Sequence, residues 1–179
     1  MVDGIARVLL SLALLSGCTT LSSDPRARTT GAYIDDGAIE SLVTRTIRES
    51  DPGFASAHLV VVSYNALVLL AGQVETDALR AKATEVASGL AKVRGVHNEL
   101  EVGGPTSMMA RSNDAWLTSK VKSKLIANKR LQGSRIKVVT EDGVVYLMGL
   151  IPRDEGGEAA ETARTVYGVQ KIVKVFEYL

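Results

Sequence analysis

The apolar sequence VVYLMGLI, residues Val144–Ile151, directly follows Glu141-Asp142-Gly143 and matches an earlier stretch, LVLLAGQV at Leu67–Val74, at an offset of 77 positions. Short runs of valine, leucine and isoleucine favour buried strands, and Asp-Gly supplies the positive φ that a tight hairpin turn requires. We therefore predict a hairpin with strands over 135–140 and 144–151. The match at Leu67–Val74 predicts that the chain contains this hairpin twice.

The repeat extends beyond the hairpin in both directions. Before each hairpin, apolar residues recur at every fourth position, which is the spacing of one buried face of a helix. After the hairpin, a Gly-Val pair recurs at a smaller offset, because the segment between the hairpin and this pair is shorter in the second copy. A repeat of this length indicates a duplicated domain rather than a solenoid of short units. The matched positions are Ile39, Val43 and Ile47 with Leu117, Val121 and Leu125 at an offset of 78, and Gly95-Val96 with Gly168-Val169 at an offset of 73.

Each copy is predicted to contain a helix, two strands, a second helix and a third strand, in that order. The hairpin is antiparallel, whereas a helix between the second and third strands implies a right-handed crossover and a parallel pair. The predicted fold class is therefore α+β, with two tandem αββαβ domains, each a three-stranded mixed sheet covered on one face by two helices. Domains this small are marginal alone, so we expect the two copies to pack against each other.

The predicted elements set the domain boundaries at 36–102 and 112–179, with a short linker at 103–111. In the first copy, Gly95 is expected to cap the end of the second helix. In the second copy, Gly156-Gly157 is expected to delay the start of that helix to Glu158. The remaining predictions are helices over 36–49 and 113–131, a helix from Thr76, and strands over 57–63, 67–74, 96–102 and 169–178.

The first eighteen residues, MVDGIARVLLSLALLSGC, have the features of an export signal. Arg7 precedes an apolar run that is too short to cross a bilayer as a helix. The run ends in Leu-Ser-Gly-Cys, which resembles the lipobox of bacterial lipoproteins, a group in which cleavage occurs before the cysteine and the cysteine is acylated. We therefore predict a lipoprotein signal peptide at 1–17 and a lipid anchor at Cys18, with a buried structural cysteine as the alternative.

Two further expectations follow from this leader. Cys18 is the only cysteine, so no internal disulfide can form. Residues 18–35 are polar and without periodicity, and we predict that they form a flexible tether. Thr19 after the cysteine resembles the pattern of lipoproteins that are sent to the outer membrane, which predicts a lipid-anchored protein of the outer membrane that faces the periplasm.

The first helix of the second copy, NDAWLTSKVKSKLIANKRL at Asn113–Leu131, carries a tryptophan outside its buried stripe. On a helical wheel Trp116 lies about 140° from the centre of that stripe, on the side that also carries Lys120 and Arg130. At the offset of 78, the first copy has Ala38 in place of Trp116 and no lysine at the corresponding positions. The fold therefore does not require this group, and we interpret it as a contact surface. The alternative is a tryptophan that packs against the first copy.

The charge distribution agrees with a contact surface in the second copy. Residues 1–110 contain 9 Lys/Arg and 12 Asp/Glu, whereas residues 111–179 contain 12 Lys/Arg and 8 Asp/Glu. An indole can lie at the headgroup level of a membrane, and lysine and arginine attract anionic lipid. Nucleic acid is disfavoured as a partner, because an exported protein does not meet it and the second domain is only mildly basic.

Catalytic chemistry has little support in the sequence. The two histidines, His58 and His97, lie next to or within predicted strands, and no second cysteine accompanies Cys18, so neither a zinc site nor a Cys-His pair is predicted. No phosphate-binding Gly-x-x-x-x-Gly-Lys motif occurs. We expect no enzymatic activity, no catalytic residue, no metal and no cofactor.

The apolar strand, Gly72 or Gly149, the second helix and then Gly95-Val96 or Gly168-Val169 together resemble the BON domain. With the lipobox, the chain resembles the dual-BON-domain lipoproteins of Gram-negative outer membranes. That resemblance implies binding of anionic phospholipid through the first helix of the second domain, with Trp116 in the family's tryptophan position, and support of envelope integrity. The phospholipid-binding residues that we predict are Trp116, Leu117, Lys120, Lys122, Lys124, Ala127 and Arg130.

A second class of function uses the same surface. Trp116 could be an aromatic anchor and the lysines a polar rim for an outer-membrane or periplasmic protein, which would make this chain a scaffold or chaperone-like module. The two hypotheses differ in their dependence on conditions. Lipid binding should follow the fraction of anionic lipid and weaken with salt, whereas binding to a protein should need that protein.

Overall fold

A computed structural model describes residues 29–179 of the chain, so the predicted signal peptide and lipid anchor at Cys18 lie outside the described residues. Each copy has the predicted order of elements and its own three-stranded sheet. Within residues 29–179 no helix is long and apolar enough to cross a membrane. The helices are α1 (Thr30–Ser50), α2 (Asp77–Ser88), α3 (Met108–Ala127) and α4 (Arg153–Arg164), and the strands are β1 (His58–Tyr64), β2 (Leu67–Val74), β3 (Gly95–Val102), β4 (Lys137–Glu141), β5 (Val144–Ile151) and β6 (Lys171–Tyr178).

The sheet topology confirms the predicted fold class. The strand order is β1-β2-β3 in one sheet and β4-β5-β6 in the other, and in each sheet the first pair is antiparallel and the second pair is parallel. The hairpin between β4 and β5 turns at Asp142 and Gly143, which have φ of 46° and 74°. The Asp-Gly pair thus has the conformation that the sequence predicted.

Each sheet has a helix-covered face and a face that meets the other sheet. Helices α1 and α2 cover the first sheet, and α3 and α4 cover the second. Between the sheets, Leu69 and Ala71 of β2 pack with Tyr146 and Met148 of β5. The layers are therefore two helices, two sheets and two helices. Strands β2 and β5 are buried on both faces, which explains why their sequences are apolar almost throughout.

The first helix of each copy begins earlier than the sequence predicted. Helix α1 starts at Thr30 rather than near 36, because the Thr29 side chain accepts a hydrogen bond from the Ala32 amide and caps the helix. Helix α3 starts at Met108, capped in the same way by Ser107. The predicted tether at 18–35 is therefore too long by six residues, and the last four residues of the predicted linker at 103–111 belong to α3.

The two glycine predictions for the second helices were wrong. Helix α2 ends at Ser88, and Gly95 is the first residue of β3. Helix α4 runs from Arg153 through both glycines of Gly156-Gly157. A Cβ on Gly156 would lie 3.0 Å from the Tyr178 ring, so this glycine permits close packing of α4 on β6. The need for space outweighs the poor helix propensity of glycine here.

Both copies contain a buried aspartate that fixes the hairpin onto the first helix. Asp36 in α1 accepts hydrogen bonds from the amides of Asn65 and Ala66, each at 2.9 Å. Asp114 in α3, 78 positions later, accepts bonds of 2.9 Å from the amides of Asp142 and Gly143. This pair was not predicted, although both residues stand at corresponding positions of the repeat. In each copy this aspartate fastens the first helix to the turn of the hairpin.

Candidate functional site

Trp116 lies on the outer side of α3, where 47% of its surface is exposed. The helix is held in this orientation by Leu117, Val121 and Leu125, which are fully buried against the second sheet. The Lys120 ammonium lies 3.7 Å from the centroid of the indole ring, within the range of a cation–π interaction. Trp116 is thus not packed between the two copies, which was the alternative interpretation of its sequence position.

A groove runs between Trp116 and the turn that follows α4. Its volume is about 570 Å³, and we call it the Trp116 groove. Among the described residues that line it, two are lysines and none carries a carboxylate, so this lining is cationic. The lining residues are Trp116, Ser119, Lys120, Ser123 and Lys124 of α3 together with Thr165, Val166 and Tyr167.

Lys124 has a structural contact within this groove. Its ammonium donates to the Thr165 hydroxyl at 2.8 Å and to the Thr165 carbonyl at 3.3 Å. Thr165 is the C-terminal cap of α4, where the helix dipole presents partial negative charge. Lys124 therefore fastens α3 to the end of α4 and at the same time contributes positive charge to the groove.

Tyr167 lines the groove and was not among the predicted residues. It is 94% exposed and stands just before Gly168, whose φ of 97° turns the chain toward β6. At the offset of 73, the first copy has Arg94 at this position, where it forms an ion pair with Glu177. The replacement of a paired arginine by an exposed tyrosine was a visible difference between the copies, of the same kind as the Trp116 difference.

The exposed surface of α3 carries cations and apolar side chains. The only acidic residue of α3 is Asp114, and it is buried in its bonds to the hairpin. Met108 and Met109 at the start of the helix and Ile126 near its end are largely exposed. This helix therefore has two apolar sides, one in the core and a smaller one in solvent.

Two predicted site residues do not face solvent at the groove. Leu117 is fully buried in the core of the second copy, so it cannot contact lipid while the domain is folded. Lys122 donates to the carbonyls of Gly133, Ser134 and Ile136, outside the Trp116 groove. Burial of this ammonium lowers the pKa of Lys122. Both residues are corrections to the predicted set.

The last two predicted residues lie at the far end of α3. Ala127 is exposed and is the final residue of the helix. Arg130 follows the helix and forms an ion pair with Glu158 of α4, with a distance of 2.9 Å between its Nη2 and Oε1. Neither residue lines the Trp116 groove. The structure thus brings together Trp116, Lys120 and Lys124 and adds Tyr167 to them.

The histidines lie away from this surface. His58 contacts Glu141 of the other copy, with 3.1 Å between Nε2 and Oε2, and His97 is exposed on β3. Burial raises the pKa of the Glu141 carboxyl, and the nearby His58 works in the opposite direction. Within residues 29–179 no group of three His, Cys, Asp or Glu side chains could hold a metal ion.

Comparison with known proteins gives a family match over most of the described chain. The BON domain model matches residues 35–104 and 113–179. The chain is 38% identical to the outer membrane lipoprotein DolP of Haemophilus influenzae, over 89% of this chain and 81% of that protein. It is 36% identical to a 21 kDa hemolysin of Actinobacillus pleuropneumoniae, over 91% and 83% of the two chains. It is 30% identical to the osmotically-inducible protein Y of Escherichia coli, over 94% and 93%.

Proposed function

This chain belongs to the BON-domain family, and from that premise we propose that it is a non-catalytic lipoprotein of the outer membrane that binds anionic phospholipid. The anchor would be Cys18, and the second domain would contact the lipid through α3. The Haemophilus influenzae relative supports the location, since that protein is an outer membrane lipoprotein. Support of envelope integrity would follow from the lipid contact without any chemical step.

The observation that carries the proposal is the pairing of Trp116 with Lys120 on a helix surface that lacks carboxylates. An indole is amphipathic and favours the interface between headgroups and acyl chains, and each nearby cation contributes about 1 kcal/mol of attraction to an anionic surface. Lys120 and Lys124 are separated by one helical turn and both line the groove. Tyr167 adds a second amphipathic ring at the same edge.

The exposed apolar side chains of α3 extend this contact along the helix. Met109 stands seven residues before Trp116, which is close to two helical turns, so both lie on the same side of α3. A helix of twenty residues is about 30 Å long. Lying in the plane of the interface, α3 could place Met109 and Trp116 at the acyl boundary and its lysines among the headgroups.

Sedimentation with vesicles tests the proposal. A chain that starts at Thr19 retains every described residue, and we expect it to sediment with vesicles that contain phosphatidylglycerol and to remain in solution with neutral vesicles. Trp116→Ala and the double variant Lys120→Glu with Lys124→Glu should each lose most of this binding. Added salt should weaken it, since the Debye length falls from about 10 Å at 0.1 M to about 3 Å at 1 M.

The matched control carries the same charge change on the first copy. Arg45→Glu with Lys92→Glu alters two exposed residues outside α3 and changes the net charge as much as the groove double variant does. This control should sediment like the native chain. Circular dichroism would establish that all variants are folded. Equal binding by the native chain and the folded Trp116→Ala variant would refute the assignment of lipid binding to the Trp116 surface. No sedimentation of the native chain would refute lipid binding and favour a protein partner.

A further inference from the structure

Four strands lie at the edges of the two sheets, namely β1 and β3 in the first copy and β4 and β6 in the second. An edge strand presents backbone N–H and C=O groups that have no neighbouring strand to bond to, and such a row is a template for pairing with another chain. Within residues 29–179, side chains bond to the outer backbone groups at three of these edges, and the edge of β6 is the exception.

The edges of β1 and β4 are met by side chains of the first helices. The Glu40 carboxylate of α1 accepts a hydrogen bond of 2.9 Å from the Ser63 amide on the outer side of β1. Lys122 of α3 donates to the Ile136 carbonyl, directly before β4. In addition, β4 is only five residues long, and short edge strands are poor templates for another chain.

The edge of β3 is protected by a side chain of the strand itself. Asn98 Oδ1 accepts a hydrogen bond of 3.0 Å from the Leu100 amide. Asn98 Nδ2 donates to the Arg80 carbonyl at 2.7 Å and to the Thr84 hydroxyl at 2.6 Å, so α2 holds this side chain in place. An added strand would have to displace Asn98 before it could pair with β3.

The position of β6 that corresponds to Asn98 is a lysine. Asn98 lies beside Leu70 in the first sheet, and Lys174 lies beside Leu147, the counterpart of Leu70, in the second. An ammonium group only donates hydrogen bonds, so Lys174 cannot accept a bond from the amide two residues later as Asn98 does. The second copy has therefore lost the protection that the first copy has at this edge.

The end of β6 shows which of its backbone groups point outward. The Leu179 amide donates to the Ile151 carbonyl of β5, and successive residues of a strand direct their amides to opposite sides. The amide of Val175 therefore points toward β5, whereas the amides of Lys174 and Phe176 point away from it. In the part of the chain that the structure describes, no side chain bonds to these outward groups.

The side chains of β6 indicate which kind of strand would fit beside it. Lys171 and Lys174 are exposed, and the acidic residue of the strand, Glu177, forms an ion pair with Arg94 of the first copy. Tyr178 is partly exposed at the end of the strand. The edge is therefore cationic with an apolar end, and opposite charges on facing strands are stabilising. A strand with an acidic residue opposite Lys174 complements this edge.

A second copy of β6 is a poor partner for the same edge. Antiparallel pairing of two β6 strands through their outward groups places the two Lys174 side chains directly opposite or diagonal to each other in every register that pairs most of the strand. Like charges in this arrangement are destabilising. Lys174 thus disfavours self-association and favours a partner that supplies an acid.

We propose that the outer edge of β6 is a docking site for an extended segment of a partner protein, which adds to the second sheet as a fourth strand and carries an acidic residue opposite Lys174. Main-chain hydrogen bonds to the outward groups of Lys174 and Phe176 supply affinity, and the charge of Lys174 supplies specificity. The site lies on β6 rather than on α3, so it is separate from the surface proposed to bind lipid.

Amide hydrogen exchange of the chain that starts at Thr19 tests this proposal. The probe is a synthetic peptide as long as β6, in which valine and threonine alternate and a glutamate stands opposite Lys174 in the antiparallel register. The amides of Lys174 and Phe176 should exchange rapidly in the free chain and slow by about tenfold or more with the peptide. The Val175 amide, which points toward β5, should be protected in both states. Binding to side chains alone would not produce this alternation.

A charge reversal tests the specificity. Lys174→Glu should weaken binding of the peptide by about fivefold or more, and the variant should instead prefer the same peptide with lysine in place of glutamate. Lys92→Glu is the matched control, because it makes the same charge change at an exposed residue of the first copy. This control should bind the glutamate peptide as the native chain does. Circular dichroism would establish that both variants are folded.

The docking site and the lipid surface can fail independently. Trp116→Ala should retain peptide binding, and Lys174→Glu should still sediment with phosphatidylglycerol vesicles. No protection of the outward amides at any peptide concentration, or equal affinity of folded Lys174→Glu for the two peptides, would overturn the proposal. Protection that rises with protein concentration alone would also overturn it, because a second copy would then occupy the edge.

Discussion

Helices α1 and α3 occupy corresponding places in the two copies, and they agree on their inner sides and differ on their outer sides. Both have a hydroxyl side chain as N-cap, a buried aspartate bonded to the hairpin and three apolar residues against the sheet. The exposed side of α1 mixes acids and bases, whereas that of α3 has Trp116 and cations without an exposed acid. What the copies share is therefore what the fold requires, and what differs is free to serve binding.

The largest expected effect on stability concerns the glycine that stands at the same position in β2 and in β5. Gly72 has a φ of 107°, and a Cβ there would lie 2.0 Å from the His58 carbonyl oxygen, whereas a Cβ on Gly149 would lie 3.3 Å from that of Arg135. We expect Gly72→Ala to lower the free energy of unfolding by about 3 kcal/mol or more and Gly149→Ala by about 1 kcal/mol. Urea denaturation measures both. Equal losses would show that the two hairpins are under the same constraint.

A slightly smaller effect is expected at the buried aspartates. Within residues 29–179, Asp36 accepts hydrogen bonds from the Ser63 hydroxyl and from two backbone amides, and Asp114 accepts them from two backbone amides. Because removal strands buried donors, Asp36→Ala should cost about 3 kcal/mol and Asp114→Ala about 2 kcal/mol. The urea midpoint should fall further for Asp36→Ala. The reverse order would mean that the second copy depends more on this contact than the first.

Moving the Trp-Lys pair from α3 to α1 tests whether the difference between the exposed sides of these helices explains vesicle binding. Trp116→Ala should cost less than about 1.5 kcal/mol of stability, because the ring is half-exposed, even though vesicle binding is lost. Adding Ala38→Trp and Leu42→Lys to that variant places the same pair on α1. Sedimentation should recover only partly, because Glu40 and other acids remain on α1. Full recovery would show that the lack of acids on α3 is unimportant.

The smallest expected effect concerns the pH dependence of stability at Glu141, which contacts His58, and at Tyr64, its counterpart in the first copy. Burial raises the pKa of the Glu141 carboxyl above its ordinary value of 4.5, so the native state favours its protonated form. The stability contributed by the protonated Glu141 carboxyl is present at pH values below the pKa of this group in the unfolded chain. It is lost as pH rises through the pKa of the group in the folded chain. Glu141→Gln should remove this decline in the free energy of unfolding. We expect the decline to be less than about 1 kcal/mol, because the carboxyl is partly solvated. Tyr64→Phe at the corresponding position should shift stability by the same amount at every acidic pH.

Much of the fold could be predicted from the repeat, because two copies of one apolar pattern constrain each other. The bounds of β2 and β5 agree with the prediction at both ends. The starts of α1 and α3 were placed too late, although the capping hydroxyls of Thr29 and Ser107 bond to amides only three residues away and are local signals. The start of α4 could not be predicted, because the close packing of Gly156 on Tyr178 joins residues that are distant in the sequence.

The candidate site was predicted in part for the same reason. The wheel placed Trp116 and Lys120 on the outer side of α3, where they lie. It could not show that Lys122 reaches backbone carbonyls or that Arg130 pairs with Glu158, since both depend on elements distant in the sequence. Tyr167 could have been predicted from the difference between the copies, because Arg94 stands at its position in the first copy.

The early start of α1 changes how strongly a weak membrane contact would be felt. Only eleven residues, 19–29, separate Cys18 from the first residue of α1. Fully extended, they span at most about 40 Å. If Cys18 is acylated as we propose, the folded domains are confined to a thin layer above one leaflet, and the local concentration of headgroups around α3 is high. A site with poor affinity in solution would then be occupied most of the time, and the orientation of α3 rather than its affinity would control the contact.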